Sequence, residues 1–252
     1  MPPRIVKRGE GDYPLAYRPR RISEVYGQDE AKLTIADGLD KGNLPHVLLF
    51  QGISGTGKTS MGRIIAMGLN CEKGPTSEPC RECLFCKAVI NHNSFAFQEF
   101  DAGYFSGVDK MRKEIQNFYT APMGGERYKI ILFDECQRLT KEAQAALLKP
   151  TEDYHSELYF IFCTTDAEKM LAPLRNRCMQ FEFKRLQYEE LRRLLHDVCE
   201  NENLEPDPDV IEEIIEESKG MPRNALWLLQ RAAGCGKLVE RVDEAMYASF
   251  GY

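Results

Sequence analysis

The segment Gly52-Ile-Ser-Gly-Thr-Gly-Lys-Thr59 leaves few folds open to this chain. It has the form G-x-x-x-x-G-K-[ST], follows the apolar run His46–Phe50 and opens a proline-free helical pattern over Lys58–Leu69. A glycine-rich loop between a buried strand and a helix is a phosphate cradle, and that context lifts the motif above a chance match. Gly52, Gly55 and Gly57 let the backbone curl, with Ser54, Thr56 and Ser60 in the same cradle, so that successive N–H groups face a phosphate. The helix N-terminus adds positive potential at the same place. Lys58 is placed to reach the β- and γ-phosphates, and the Thr59 hydroxyl to hold Mg²⁺. The alternative is an ordinary glycine-rich turn.

A second apolar run, Tyr128–Phe133, leads directly into Asp134-Glu135. A carboxylate at the end of a buried strand beside a phosphate loop can hold Mg²⁺, and its neighbour can polarise an attacking water. Acidic pairs at strand ends are often just solvated turns; the pairing with the phosphate loop gives this one its meaning.

Nine cysteines occur in 252 residues, and four of them, Cys71, Cys80, Cys83 and Cys86, are spaced C-x8-C-x2-C-x2-C. Four thiolates at such spacing suit a closed tetrahedral Zn²⁺ site without a catalytic opening. Free thiols or a redox pair are the alternatives. The remaining cysteines are scattered and read as small buried hydrophobes.

The composition, 43% hydrophobic and 29% charged with no long uncharged apolar run, excludes a membrane-spanning helix. The basic N-terminus lacks an apolar segment behind it, so cytoplasmic residence is expected. A net charge of −6 gives no sign of bulk electrostatic binding to nucleic acid, although basic residues such as Arg18, Arg20 and Arg21 permit a local patch. The acidic stretch Glu200–Glu217 reads as a solvated helix face.

Strand candidates His46–Phe50, Phe97–Phe100, Lys129–Phe133, Leu158–Cys163 and Met179–Phe183 alternate with helical patterns at Lys58–Leu69, Val108–Phe118, Lys141–Leu148 and Lys169–Leu174. Such alternation predicts an α/β fold with a parallel sheet covered on both faces. Ligands then bind at the carboxyl ends of the strands, where the phosphate loop, Asp134-Glu135 and Thr164-Thr165 would converge. After Phe183 the helical patterns Tyr188–Asn201, Asp207–Ser218 and Pro222–Ala233 predict a small helical second domain, with Asp243–Phe250 as a short last helix. The expected division is a nucleotide-binding domain over residues 1–184, carrying a zinc-binding insertion at 71–86, and a helical lid over 185–252.

With these residues placed, the chain resembles the bacterial clamp-loader ATPases, the gamma/tau subunits of DNA polymerase III, within the AAA+ class. The resemblance runs from Tyr17-Arg-Pro to Gly220-Met-Pro-Arg223. It takes in Val25-Tyr-Gly-Gln28, the phosphate loop, Gly68-Leu-Asn-Cys71 with the cysteine knuckle, Asp101-Ala102, Phe133-Asp-Glu135, Ala146-Leu-Leu-Lys149, Thr164-Thr-Asp166 and Arg177-Cys178-Met-Gln-Phe181. The knuckle just after the phosphate-loop helix is the most discriminating feature.

The resemblance implies an AAA+ P-loop domain with a five-stranded parallel sheet and a lid, binding ATP, Mg²⁺ and Zn²⁺. Lys58 and Thr59 would be Walker A contacts, and Asp134 and Glu135 Walker B. Thr165 would be sensor 1, Arg177 a finger acting on ATP bound to a neighbouring subunit, and Arg223 sensor 2. Tyr17, Arg18, Val25 and Gly27 match the segment lining the adenine pocket. The family has Ser-Arg-Cys where this chain has Asn176-Arg-Cys178. Amides of Gly103–Asp109, ahead of the Val108–Phe118 helix, match the segment that meets the DNA backbone.

The implied partners are a sliding clamp, primer-template DNA, and other clamp-loader subunits or copies of this chain in a ring or spiral, with no membrane. The implied activity is ATP hydrolysis that drives clamp opening and loading. Alternatives are a non-hydrolysing stator-like subunit, another AAA+ DNA remodeller, and a zinc-stabilised domain with vestigial ATP binding. The family continues into a helical collar, whereas this sequence stops after the lid, so it is expected to be a fragment or a short natural relative.

Overall fold

A computed structural model describes residues 11–104, 108–120, 125–153, 157–205 and 207–234. In chain order the elements are α1 (Tyr13–Ala16), α2 (Asp29–Asp40), β1 (Val47–Gly52), α3 (Lys58–Asn70), α4 (Leu84–Ile90), β2 (Phe97–Asp101), α5 (Val108–Phe118) and β3 (Lys129–Asp134). They continue with α6 (Lys141–Ala146), α7 (Leu148–Glu152), β4 (Leu158–Thr164), α8 (Ala172–Arg175), β5 (Met179–Phe183), α9 (Tyr188–Glu202), α10 (Pro208–Ser218) and α11 (Pro222–Gly234). Asp243–Phe250, Cys235 and the middle of the Gly103–Asp109 segment lie outside the described residues.

The strands form one sheet in the order β2-β3-β4-β1-β5, and every neighbouring pair is parallel. Sequence pattern and position agree. The central strands β3 and β4 are almost continuous apolar runs because both of their faces are covered, whereas β5 at the edge alternates exposed and buried residues. The two-residue period sends alternate side chains to opposite faces. Leu48, Phe50, Ile130, Leu132, Ile161 and Cys163 pack toward α2 and α3. Leu49, Ile131, Phe133, Phe160 and Phe162 pack toward α5 and α6, where Phe133 and Phe162 stack with ring centroids 5.5 Å apart.

The stretch Lys141–Leu148, expected as one helix, is two. Pro150 has no N–H to give a preceding turn and fits a helix only within its first turn, so the chain restarts at Leu148. Helices α2 and α4 have no counterpart in the sequence-based expectation. The first buries only Ala31, Ile35, Gly38 and Leu39 and starts from Gln28 at φ 57° rather than from a Ser, Thr or Asp cap, so its signature is faint.

After β5 the described chain is helical. Helices α9, α10 and α11 share an apolar cluster with Tyr13, Ala16, Tyr17 and Tyr26 from the other end of the sequence. Polar ties reinforce that join: the Tyr17 hydroxyl donates to Glu202 at 2.5 Å, and the Tyr26 hydroxyl donates to Asp197. Gln28 donates its amide N–H to the Lys184 carbonyl at 2.6 Å and accepts from the Lys184 N–H at 2.9 Å, just beyond β5. No described helix is long and apolar enough to cross a membrane.

Candidate nucleotide site and cysteine knuckle

Three neighbouring strands deliver the site. β1 ends in the phosphate loop, β3 ends at Asp134, and β4, which lies between them, ends at Thr164. Parallel pairing puts all three carboxyl ends on one edge, so residues more than a hundred positions apart meet there.

Gly52 and Gly57 are required where they stand. Gly52 has φ 151°, and a Cβ there would lie 2.2 Å from the Phe183 carbonyl oxygen of β5; Gly57 has φ 104° and leads into α3. Thr56 is buried, and its hydroxyl donates to the Ile53 carbonyl at 2.8 Å, which braces the loop from inside. Ser54 is exposed on the loop. Lys58 is only 5% exposed, and its ammonium donates to the carbonyls of Gly52 at 2.6 Å and Ile53 at 3.0 Å. Burial pushes its pKa down, and Glu135 and Asp134 act against that shift.

The Thr59 hydroxyl donates to Asp134 Oδ2 at 2.8 Å, joining the two strand-end motifs directly. With its hydrogen committed to the carboxylate, the Thr59 oxygen keeps lone pairs for a cation. Asp134 Oδ1 accepts from the Glu135 N–H at 3.0 Å. Glu135 adopts φ 52°, an uncommon region for a non-glycine residue, and lines with Asp134, Asp101, Glu99 and His92 a cavity of about 370 Å³.

A second cleft adjoins the loop, lined by Tyr17, Arg18, Val25, Tyr26, Gly55, Thr56, Gly57 and Ser60 on one side and by Leu194, Pro222, Arg223 and Leu226 on the other. Four of the expected purine-side and lid residues thus meet there. Gly27 does not line the cleft; it packs under Leu186 and Glu190, where a Cβ would lie 2.6 Å from Leu186 Cδ2. Burial, and then the charge of Arg63, holds the Arg18 guanidinium down to about 10. Arg63, one turn along α3 from Thr59, makes a two-pronged pair with Glu99 at 2.9 and 3.0 Å.

Arg177 stands apart. Leu48 pairs with Met179 and Gly52 with Phe183, so Arg177, ahead of Met179, lies at the opposite end of β5 from the phosphate loop. Its guanidinium donates to the Pro173 carbonyl at 2.6 Å and pairs with Glu152 at 3.0 Å. Sheet geometry therefore keeps it out of the site of its own chain.

The cysteine knuckle begins where α3 ends. Cys71, Cys80, Cys83 and Cys86 bring their sulfurs within 4.8 Å of one another, compatible with a single tetrahedral ion, and the set could hold zinc. Backbone N–H groups point at the sulfurs: Cys80 N–H donates to Cys71 at 3.4 Å, Glu82 and Cys83 N–H to Cys80 at 3.4 and 3.3 Å, and Cys86 N–H to Cys83 at 3.5 Å. Burial raises the Cys71 and Cys86 thiols, whereas at Cys80 the donated N–H groups outweigh burial and bring the thiol down to about 6. Asn70, the last residue of α3, donates to the Tyr128 carbonyl at 2.8 Å and accepts from the N–H groups of Arg127 and Tyr128 at 2.8 and 2.9 Å. The Arg127 guanidinium donates to the Gly74 and Cys71 carbonyls, so the segment just ahead of β3 grips the knuckle.

Sequence reasoning passed over Gln137, Arg63, Glu99, Asn70 and Arg127. For Gln137 a signal was present: a polar residue two positions after Glu135, in a turn that stays beside the strand ends.

Comparison with known proteins gives a family and a fold. The model of the family described as DNA polymerase III, delta subunit, matches residues 27–187. DNA polymerase III subunit tau of Escherichia coli is 34% identical over 220 residues, covering 87% of this chain and 34% of the relative. Subunit gamma/tau of Mycobacterium bovis is 36% identical over 85% of this chain and 37% of its own length, and subunit tau of Bacillus subtilis 33% over 91% and 41%. The chain thus spans about a third to two fifths of these curated relatives. Among solved structures, the Thermotoga maritima RuvB Holliday junction branch migration motor superposes with a TM-score of 0.66 at 20% identity, over 91% of this chain and 71% of that one, which speaks for the fold alone. With the family model covering more than half of its length, the chain belongs to the DNA polymerase III clamp-loader subunit family of the AAA+ class.

Proposed function

We propose that the chain binds ATP and hydrolyses it as a clamp-loader subunit, opening a sliding clamp and placing it on primer-template DNA. The observation that carries this reading is the 2.8 Å bond from Thr59 to Asp134, which pairs two magnesium-type ligands beside the Lys58 loop. Lys58 leaves its two carbonyls for the β- and γ-phosphates, and Thr59 and Asp134 hold Mg²⁺. A Mg²⁺ ion held by these two residues would supply positive charge against the negative charge that builds up in phosphoryl transfer. Glu135 polarises the attacking water and Thr165 donates to the γ-phosphate. The purine lies in the cleft beside Tyr17, Arg18 and Val25, and Arg223 ties the lid to the phosphates.

Arg177 serves a neighbouring subunit, because its position at the far end of β5 denies it the site of its own chain. The four cysteines hold Zn²⁺ as a structural clip, and residues 1–184 and 185–252 act as nucleotide domain and lid. ATP shifts the assembly by its different affinities for the open and engaged arrangements.

The test is ATP turnover per chain against protein concentration, with and without primed DNA, alongside Arg177→Ala. Turnover that rises with concentration and DNA and is lost in the variant supports composite sites between copies. The match to a family model described as the delta subunit favours a second reading, a non-hydrolysing stator-like subunit. The intact set Lys58, Thr59, Asp134 and Glu135 opposes it, and failure of the chain to bind ATP would decide in its favour.

A further inference from the structure

Gln137 lies in the 3-10 turn Cys136–Arg138 directly after β3, and the roles above leave it without one. Its side chain nevertheless fills all four bonding positions of a primary amide. Nε2 donates to Glu135 Oε2 and, at 2.9 Å, to Thr165 Oγ1; Oε1 accepts from Thr164 Oγ1 at 2.8 Å and from the Thr165 N–H at 3.3 Å. The surroundings decide which end is which. An ionised carboxylate only accepts and a backbone N–H only donates, so the reversed amide would set oxygen against Glu135 and NH₂ against the Thr165 N–H.

The frame holding this amide is firm. Thr164 is fully buried, and its hydroxyl oxygen also accepts from the Asp166 N–H at 3.0 Å, so the end of β4 is fixed relative to the turn. Two consequences follow from the donor directions. The Thr165 oxygen accepts from Gln137, which leaves its own hydrogen to point toward a phosphate oxygen at the strand edge. Glu135 Oε2 is occupied by Gln137, which leaves Oε1 to face a water.

We propose that Gln137 is a positioning residue that braces the Glu135 carboxylate against the Thr165 hydroxyl, so that γ-phosphate contact and water polarisation are set by one amide. This rests on the ATPase reading above. When a γ-phosphate oxygen accepts from Thr165, the hydroxyl oxygen becomes a better acceptor for Gln137, and the same NH₂ group holds the carboxylate. Without a γ-phosphate the brace has no phosphate end.

The experiment uses the full chain with ATP, Mg²⁺ and primed DNA over the concentration range that supports wild-type turnover. Gln137→Met keeps the side-chain length and removes every hydrogen bond; Gln137→Glu keeps the acceptors facing Thr164 and the Thr165 N–H while removing both donors. Each is expected to lower kcat by about tenfold to hundredfold, the effect of losing a hydrogen bond to a charged group. The KM for ATP, the binding of a fluorescent ATP analogue and the melting temperature should stay close to wild type. Combining Gln137→Met with Thr165→Val should cost no more than the worse single change, since both cut one brace.

Wild-type kcat in either folded variant overturns the proposal. So does a loss that appears in KM or analogue binding rather than in kcat, or an additive loss in the double variant. A wild-type chain that fails to bind the analogue is a different failure: it removes the ATPase reading itself, and the brace with it.

Discussion

The candidate nucleotide site and the cysteine knuckle are built in opposite ways from adjoining pieces of chain. All four knuckle sulfurs come from Cys71–Cys86, and the N–H groups aimed at them come from Cys80, Glu82, Cys83 and Cys86 in the same short segment. The nucleotide site takes Lys58 and Thr59 from the end of β1 and start of α3, Asp134 and Glu135 from the end of β3, Thr165 from the end of β4 and Arg223 from α11. The first draws its ligands and their N–H donors from local chain closure, with Arg127 holding it from outside. The second exists only once a parallel sheet has set three strand ends side by side. The knuckle should therefore fail alone, whereas the nucleotide site can be damaged piecemeal at several distant positions.

The largest separation of the two regions is expected from Glu135→Gln. Hydrolysis should fall by about 10²–10⁴-fold, the range for removing a positioned general base, with ATP still bound and the cysteines still holding metal. Phosphate release, nucleotide titration and metal analysis on one preparation check this; a loss of metal would show the two regions to be one unit. Cys83→Ser probes the reverse direction. Zinc content should drop from one per chain to none, and the melting temperature should fall by about 5–10 °C, equivalent to roughly 2–3 kcal/mol in a chain of this size. ATP affinity should weaken by less than about tenfold, because the loop is braced by Thr56 and by β1 rather than by the knuckle. Complete loss of nucleotide binding would break the contrast.

Gly52→Ala should cost about 1–3 kcal/mol in urea unfolding, because the backbone conformation is strained for any Cβ and the Phe183 carbonyl occupies its place. Zinc content should not change. Asn70→Ala sharpens the comparison at its seam, since Asn70 closes α3 and holds β3 next to the knuckle. Removing a buried amide that makes three bonds should cost about 1–3 kcal/mol and lower both metal retention and ATP affinity, read by chelator competition and nucleotide titration. Glu152→Gln should be the mildest. An exposed ion pair with Arg177 contributes under about 1 kcal/mol, so neither the urea midpoint nor zinc content should move measurably.

The parts of the fold that were legible in the sequence are those with an undiluted local pattern. β1, β3 and β4 are apolar runs, α3 follows a loop that admits no other continuation, and α9 to α11 carry apolar residues at helical spacing; their observed bounds differ from the expected ones by a residue or two. α2 was hidden because its apolar stripe is narrow and Gln28 caps it in a left-handed conformation. α4 was hidden because Cys83 and Cys86 read as ligands, and only the structure shows that Leu84–Ile90 carries the last of them into a helix packed on α3.

From the sequence alone came the chemistry: a phosphate loop, a strand-end acid pair, a four-cysteine set and the family they resemble. Those signals depend on residue type at fixed short spacing, which the chain states outright. Tertiary structure alone decided the arrangement. It seats β4 between the two motif strands, bonds Thr59 to Asp134 and folds the Tyr17 segment onto α9 and α11. It threads Gln137 between Glu135 and Thr165, and it sends Arg177 to the far end of β5. Strand order and register come from how apolar faces separated by tens of residues bury one another, and no local spacing records that choice.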